Sequence, residues 1–263
     1  MTIFLTTAIE AAQAAGDVLR RKFPQAREVT SKGWRDIVTD ADLAAERAIL
    51  DVVTARFPDH AIFSEEGKHD KDLAAPVPTW VIDPLDGTTN YAHHFPCFSV
   101  SIGLAQHGEL IAGAVYEPLR HMLFFAEKGQ GAFVQNEGEP PQPLHVSRQT
   151  ELTEALVGVD WPRDPALRQK TVEAAGRVGA ACRTLRCLGT SALHLAEVAA
   201  GGLEGYYSLS LQPWDMAGGA MLVLEAGGQL STPTGQPWRV SNIGITASNG
   251  LLHAGLLKTL AFA

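Results

Sequence analysis

Residues 79–90 read Thr-Trp-Val-Ile-Asp-Pro-Leu-Asp-Gly-Thr-Thr-Asn, an apolar run that breaks into two carboxylates and a glycine turn. Trp80, Val81 and Ile82 have strand composition and end abruptly at Asp83. Pro84 is expected to stop regular pairing there, because it has no N–H to give a ladder. Asp86-Gly87 then turns the chain into Thr88-Thr89-Asn90. Carboxylates are hard oxygen ligands suited to Mg²⁺, and free amides at a turn suit phosphate. Metal and phosphate sites side by side suggest phosphoryl chemistry. A plain strand followed by an Asp-Gly turn explains this segment equally well when it is read alone.

Working outward, further acids follow apolar runs. Asp36-Ile37-Val38-Thr39-Asp40-Ala41-Asp42 precedes a helical pattern, and Thr39 and Asp42 have the spacing of a capping box. Ala61-Ile62-Phe63 reads as a short strand that delivers Ser64-Glu65-Glu66-Gly67. Asp215 stands in the first turn of a helix opened by Pro213. Each has an ordinary explanation, as a cap, a solvated loop or a charge matched to a helix dipole. Their repetition at strand ends and helix starts has none.

The rest of the chain frames these clusters. Helices are expected over 6–23, from about 39 to 57, and over 164–179, 190–200 and 214–226, with one more at the C-terminal end. Strands are expected over 97–105, 110–117, 121–127, 132–134, 155–160, 183–188, 204–209, 229–232 and 243–247. Residues 67–78 read as a mobile surface loop, and the polar, proline-rich 136–150 as a seam. That seam divides a single 1–263 unit into a lobe of residues 1–145, with most acids, and a lobe of 146–263, with Asp215. Strands and helices in both halves indicate layered sheets sandwiched by helices.

Bulk properties narrow the partners. With 263 residues, 46% hydrophobic and 19% charged, the chain can bury a substantial core. A formal net charge of −8 argues against a nucleic-acid backbone as principal partner. Three cysteines, Cys97, Cys182 and Cys187, fit buried thiols in a reducing compartment better than a disulfide frame or a zinc site. The N-terminus lacks the basic region of a signal peptide, and no apolar run is long enough to span a bilayer. A soluble, cytoplasmic protein is expected.

The order of motifs closely resembles the inositol monophosphatase family. The resemblance is carried by Asp-x-Val-Thr-x-Ala-Asp (36–42), Ser-Glu-Glu-Gly (64–67), Trp-Val-Ile-Asp-Pro-Leu-Asp-Gly-Thr-Thr-Asn-Tyr (80–91) and Pro-Trp-Asp-Met-Ala-Gly-Gly (213–219). Residues 95–103 and Gly-Thr-Ser-Ala (189–192) add to it, so that it covers nearly the whole chain. It implies an α+β fold, a five-layer α-β-α-β-α sandwich of the inositol monophosphatase and fructose-1,6-bisphosphatase type. It also implies a lithium-sensitive homodimer that hydrolyses a small phosphate monoester by direct attack of water, with Mg²⁺.

Carried over residue by residue, Glu65, Asp83, the Leu85 carbonyl and Thr88 would surround one Mg²⁺. Asp83, Asp86 and Asp215 would hold a second. Asp42 would orient the water with Thr88, and hold a weak third ion through water. Glu65 is the nearest base. Gly87, Thr88 and Thr89 would bring amides or hydroxyls to the phosphate, and Gly189, Thr190, Ser191 and Ser208 would face the substrate. Residue types and chemistry agree, since paired cations about 3.5–4 Å apart clamp the oxygens of an in-line displacement, and positioning with charge does most of the catalysis.

The match departs at Ser208. Inositol-hydrolysing members carry there, seven residues before the Trp-Asp aspartate, a glutamate that contacts sugar hydroxyls. Serine cannot reproduce those contacts, and the loss of charge suits a larger or more anionic substrate. Histidinol phosphate, fructose 1,6-bisphosphate and 3′-phosphoadenosine 5′-phosphate therefore stand beside inositol monophosphate. Lys32 lies one residue short of the family's lysine spacing and is left out of the site. His93-His94 are not read as ligands, and Arg183 and Arg186 are read as surface ion-pair partners. A haloacid-dehalogenase-type phosphatase would need Asp-x-Asp, whereas two residues separate Asp83 from Asp86. A silent metal- or phosphate-binding regulatory protein is the reading from outside enzymology; the complete acid set weighs against it.

Overall fold

The computed structural model describes residues 1–25, 28–67 and 72–262. In chain order the elements are α1 (Ile3–Lys22), β1 (Val29–Gly33), β2 (Asp36–Thr39), α2 (Asp40–Arg56), β3 (Ala61–Ser64), β4 (Thr79–Asp86) and α3 (Thr88–Ala92). Then come β5 (Ser99–Gln106), β6 (Glu109–Glu117), β7 (Met122–Glu127), β8 (Gly131–Asn136) and β9 (Gln142–Leu144). The remainder is β10 (Leu156–Val159), α4 (Pro165–Ala181), β11 (Thr184–Arg186), α5 (Ser191–Ala199), β12 (Gly205–Ser208), α6 (Pro213–Glu225), β13 (Gln229–Ser231), β14 (Ile245–Ser248) and α7 (His253–Leu260).

Seven strands form one sheet in the order β3-β4-β5-β6-β7-β8-β9, and five form another in the order β11-β10-β12-β14-β13. Alternation along each strand sends successive side chains to opposite faces. Trp80 and Ile82 of β4 join α1 and α2 in one core, while Val81 between them joins a second core with α5 and α6. Across that second core lies the five-stranded sheet: Tyr206 of β12 faces α5 and α6, and Tyr207 faces a third core with α4 and α7. The layers are therefore α1/α2, seven-stranded sheet, α5/α6, five-stranded sheet, α4/α7. The expected five-layer α-β-α-β-α sandwich is what the chain forms.

Three local expectations need correcting. β4 does not stop at Pro84 but runs on to Asp86, because a bulge sets the three steps from Asp83 to Asp86 against two from Ser101 to Ser99. Bulges leave one residue unpaired, which accommodates the missing proline N–H. Residues 29–39 form a β-hairpin that hydrophobic alternation did not reveal, since every residue of β1 is exposed. The 136–150 seam contains β9, whose residues pair with β8. Of the expected loop at 67–78, residues 68–71 lie outside the described residues.

Candidate active site

The hydrogen-bond ladder assembles the acids before any side chain is considered. β3 runs parallel to β4 with Ser64 opposite Ile82, and the Glu65 N–H donates to the Ile82 carbonyl at 3.1 Å. Glu65 thus leaves β3 beside the point where Asp83 continues β4. Asp83 Oδ1 accepts the Leu85 N–H at 3.0 Å, which folds the bulge back on the carboxylate. Asp86 Oδ2 accepts from Thr190 Oγ1 at 2.6 Å and from the Ala192 N–H at 2.7 Å, so the start of α5 is tied to the end of β4. Asp215, in the first turn of α6, accepts the Gln212 N–H at 2.7 Å through Oδ2.

These residues share one cavity of about 850 Å³. Glu65, Asp83, Leu85, Asp86, Gly87, Thr88, Thr89, Gly189, Ser191, Ser208 and Asp215 all line it. Asp42 and Thr190 do not: they reach the cavity through neighbours. Thr88 Oγ1 lies 3.1 Å from both Asp42 Oδ1 and the Leu85 carbonyl oxygen, and Thr190 holds Asp86. The expected capping box at α2 is present, and it fixes Asp42, whose Oδ2 accepts from the Thr39 N–H at 2.8 Å and hydroxyl at 2.6 Å.

Gly87 makes the turn possible. Its φ is +100°, and a Cβ there would lie 3.2 Å from the carbonyl oxygens of Cys97 and Gly189. Asn90 then locks the surrounding loops, its Nδ2 donating to the carbonyls of Cys97 and Leu188 at 2.7 Å each.

Uncompensated charge dominates the electrostatics. Burial, reinforced by Glu65, holds the Asp83 carboxyl well above the usual range. Burial and the Asp215 charge push Glu65 up to about 8. Asp215 rises to about 7 through burial and Asp86, and Asp86 to about 6 through burial, against its hydrogen bonds. Asp42 is raised to about 6, again chiefly by burial. Such crowding of buried carboxylates is costly unless a cation enters. Among the described residues, no group of three or more His, Cys, Asp or Glu side chains stands close enough together to hold a metal ion by itself.

Several cavity residues escaped the sequence reading. Asp160 immediately follows the apolar strand β10 and lines the cavity; this is the same signal that singled out Asp83. Its Oδ2 accepts from Tyr206 Oη at 2.6 Å and lies 3.2 Å from His194 Nδ1. Arg35, Arg163 and Arg168 also line the cavity, and no pattern in the sequence marks them. Lys32, set aside for its spacing, lies 2.5 Å from Glu66 Oε1 and 4.0 Å from Glu65 Oε1. The β1–β2 turn lets it reach these acids despite the spacing. His93 lines the cavity. Arg183 pairs with Glu154 on the surface as expected, whereas Arg186 Nη1 donates to Thr184 Oγ1 and the Leu185 carbonyl at 3.0 Å each.

A five-layer α+β sandwich with a carboxylate-floored cavity where both sheets and α6 meet defines the class of protein. The comparisons narrow it: the profile of the inositol monophosphatase family matches residues 1–263, and the chain belongs to that family. It is 37% identical over 263 residues to inositol monophosphatase 1 of Solanum lycopersicum, spanning 98% of this chain and 94% of that protein. To the Nus factor SuhB of Salmonella typhimurium strain LT2 it is 39% identical, over 97% of this chain and 95% of the other. The crystal structure of extragenic suppressor protein SuhB from Bartonella henselae superposes with a TM-score of 0.89 at 32% identity, covering 100% of both chains.

Proposed function

We propose that the protein is a Mg²⁺-dependent phosphomonoesterase acting on a small, inositol monophosphate-like metabolite. The observation that supports this best is the convergence of Glu65, Asp83, Asp86 and Asp215, from three separate elements, on the cavity that Thr88 also lines.

The donor set fits magnesium. It is made of oxygens alone, hydrogen bonds engage one oxygen each of Asp83, Asp86 and Asp215, and the Leu85 carbonyl lies beside Thr88 Oγ1. Glu65, Asp83, the Leu85 carbonyl and Thr88 would hold one ion; Asp83, Asp86 and Asp215 a second; Asp42 a weak third through water. Bound there, Mg²⁺ supplies charge neutralisation for a dianionic ester and lowers the pKa of water at the site. Thr88 orients the attacking water, Asp42 orients Thr88, and Glu65 is the nearest group to receive the water's proton. Gly87, Thr88 and Thr89 hold the phosphate. Gly189, Ser191, Ser208 and Gln212 form the wall for the leaving group, with Thr190 acting through Asp86.

Family membership also supports a homodimer and lithium inhibition as expectations for this chain. Among the described residues no helix is long and apolar enough to cross a membrane, and the cytoplasm remains the proposed location. Phosphate release from a panel of inositol 1-phosphate, histidinol phosphate, fructose 1,6-bisphosphate, 3′-phosphoadenosine 5′-phosphate and glycerol 2-phosphate tests the reading. Turnover of at least one ester with Mg²⁺ is expected, and no turnover of any would overturn it.

The Nus-factor name of the Salmonella relative favours a second role beside hydrolysis. A strain carrying only Asp83→Asn separates the two. A deletion phenotype that the variant rescues belongs to the second role.

A further inference from the structure

The cavity that holds the carboxylates is also lined by Arg35, Arg163 and Arg168, for which the proposed hydrolysis has no use. Arg163 lies in the segment between β10 and α4, Arg168 in the first turn of α4, and Arg35 between β1 and β2. Arg163 Nη1 lies 3.0 Å from Asp36 Oδ2, and its side chain is 56% exposed. Arg168 Nη1 donates to the Pro162 carbonyl at 3.2 Å, and its guanidinium carbon lies 5.7 Å from the Trp161 ring centroid. A guanidinium carries five N–H donors. These contacts occupy only Nη1 of each arginine, so donors remain.

The acids of the same region each have a partner, although Asp36 Oδ1 is buried without one. Asp160 is held by Tyr206 and His194, and Asp164 Oδ1 accepts the Leu167 N–H at 2.8 Å as the cap of α4. Asp36 is paired with Arg163. Ser208 contributes no charge to the wall. A cavity of about 850 Å³ lies towards the upper end of the range usual for small-molecule sites.

We infer that Arg163 and Arg168, with Arg35 beside them, form a second anion subsite, so that the preferred substrate is a phosphate monoester whose leaving group carries another phosphate or a carboxylate. The inference rests on the phosphatase reading and names its substrate class. Guanidinium forks match both anions bidentately, and the ester phosphate at the carboxylate floor does not compete for them.

Matched pairs test it and separate the two anions. Fructose 1-phosphate against fructose 1,6-bisphosphate adds a phosphate, and glycerol 2-phosphate against 2-phosphoglycerate adds a carboxylate. With the unmodified enzyme and Mg²⁺, kcat/KM should favour the doubly anionic member of at least one pair by about tenfold or more, mainly through KM, as one charge-assisted contact provides. The ratio should fall to within about threefold of unity in Arg163→Gln/Arg168→Gln and be partly kept in Arg163→Lys, if such contacts supply it. A wild-type ratio near unity for both pairs overturns the subsite, as does a preference undiminished in the double variant. If no ester turns over, the phosphatase reading has failed by itself. Calorimetry of the same pairs on the unmodified protein with Mg²⁺ then decides the subsite, equal or absent binding of both members overturning it.

Discussion

Thr88 can give its one hydroxyl proton to Asp42 or to the Leu85 carbonyl, both 3.1 Å away, but not to both at once. The choice depends on the charge of Asp42, raised to about 6 by burial. Above that pH the carboxylate accepts from Thr88 and fixes the hydroxyl; below it, protonated Asp42 loses that ability. The expected outcome is an acid limb in the pH–rate profile to which Asp42 contributes near 6, and which is shallower in Asp42→Asn because Asp86, also raised to about 6, still titrates. That variant should retain KM and lose about 10–100-fold in kcat, as removal of an orienting partner typically does. Thr88→Ala, which removes the hydroxyl itself, should lose at least as much. At this scale the sequence was informative wherever an acid followed an apolar run, as at Glu65, Asp83, Asp86 and Asp215. Asp160 carries the same signal after β10, but no motif surrounds it to set it apart. Arg163, on the β10–α4 loop, and Arg168, at the start of α4, reach the cavity through a tertiary placement that spacing cannot disclose.

Close approach between α6 and the seven-stranded sheet sets Asp215 against Asp83 and Asp86. A Cβ on Gly218 would lie 2.9 Å from the Ala114 carbonyl oxygen and 2.8 Å from Ser101 Oγ, so helix and sheet meet backbone to backbone. Gly103 and Gly113 face the same helix, at 2.6 Å from Ala217 Cβ and 2.7 Å from Met221 Cβ. Gly218→Val should therefore destabilise the fold by about 1–3 kcal/mol, read from the urea midpoint. It should also lower activity, because the helix that carries Asp215 must move. Helices α1, α2 and α4 to α7 were legible from apolar periodicity and caps, with α1 starting three residues earlier than expected, at Ile3 instead of 6. The β1–β2 hairpin was not legible, because an exposed strand has no buried face to impose alternation. β4 was cut short because a bulge that absorbs Pro84 leaves no mark in composition.

For the whole molecule, burying so many acids around one cavity couples stability to pH and to cations. Glu65 and Asp215 are raised to about 8 and 7, above the ordinary carboxylate range. Their neutral forms suit the folded state, so their favourable contribution is full below about pH 4 and is lost as pH rises through 7 to 8. The melting temperature of the metal-free protein should thus receive a falling contribution between about pH 5 and 8 from this cluster. Mg²⁺ should raise it most at the upper end, where the ligands are ionised. A melting temperature insensitive to Mg²⁺ at pH 8 would contradict the ligand assignment. The layer order was available from the sequence only through resemblance. Periodicity shows that α6 is apolar all round, but not which two sheets it lies between.

The central claim is that Asp83 and its neighbouring acids make this cavity a Mg²⁺-dependent phosphatase site. Phosphate release from the ester panel by the unmodified protein and by Asp83→Asn, each with and without Mg²⁺, tests it most directly. Release that requires Mg²⁺ and falls more than about 100-fold in the variant, about 2.7 kcal/mol of transition-state stabilisation, is predicted. Release indifferent to Mg²⁺ or to the substitution, or none from any ester while Mg²⁺ binds, would contradict it.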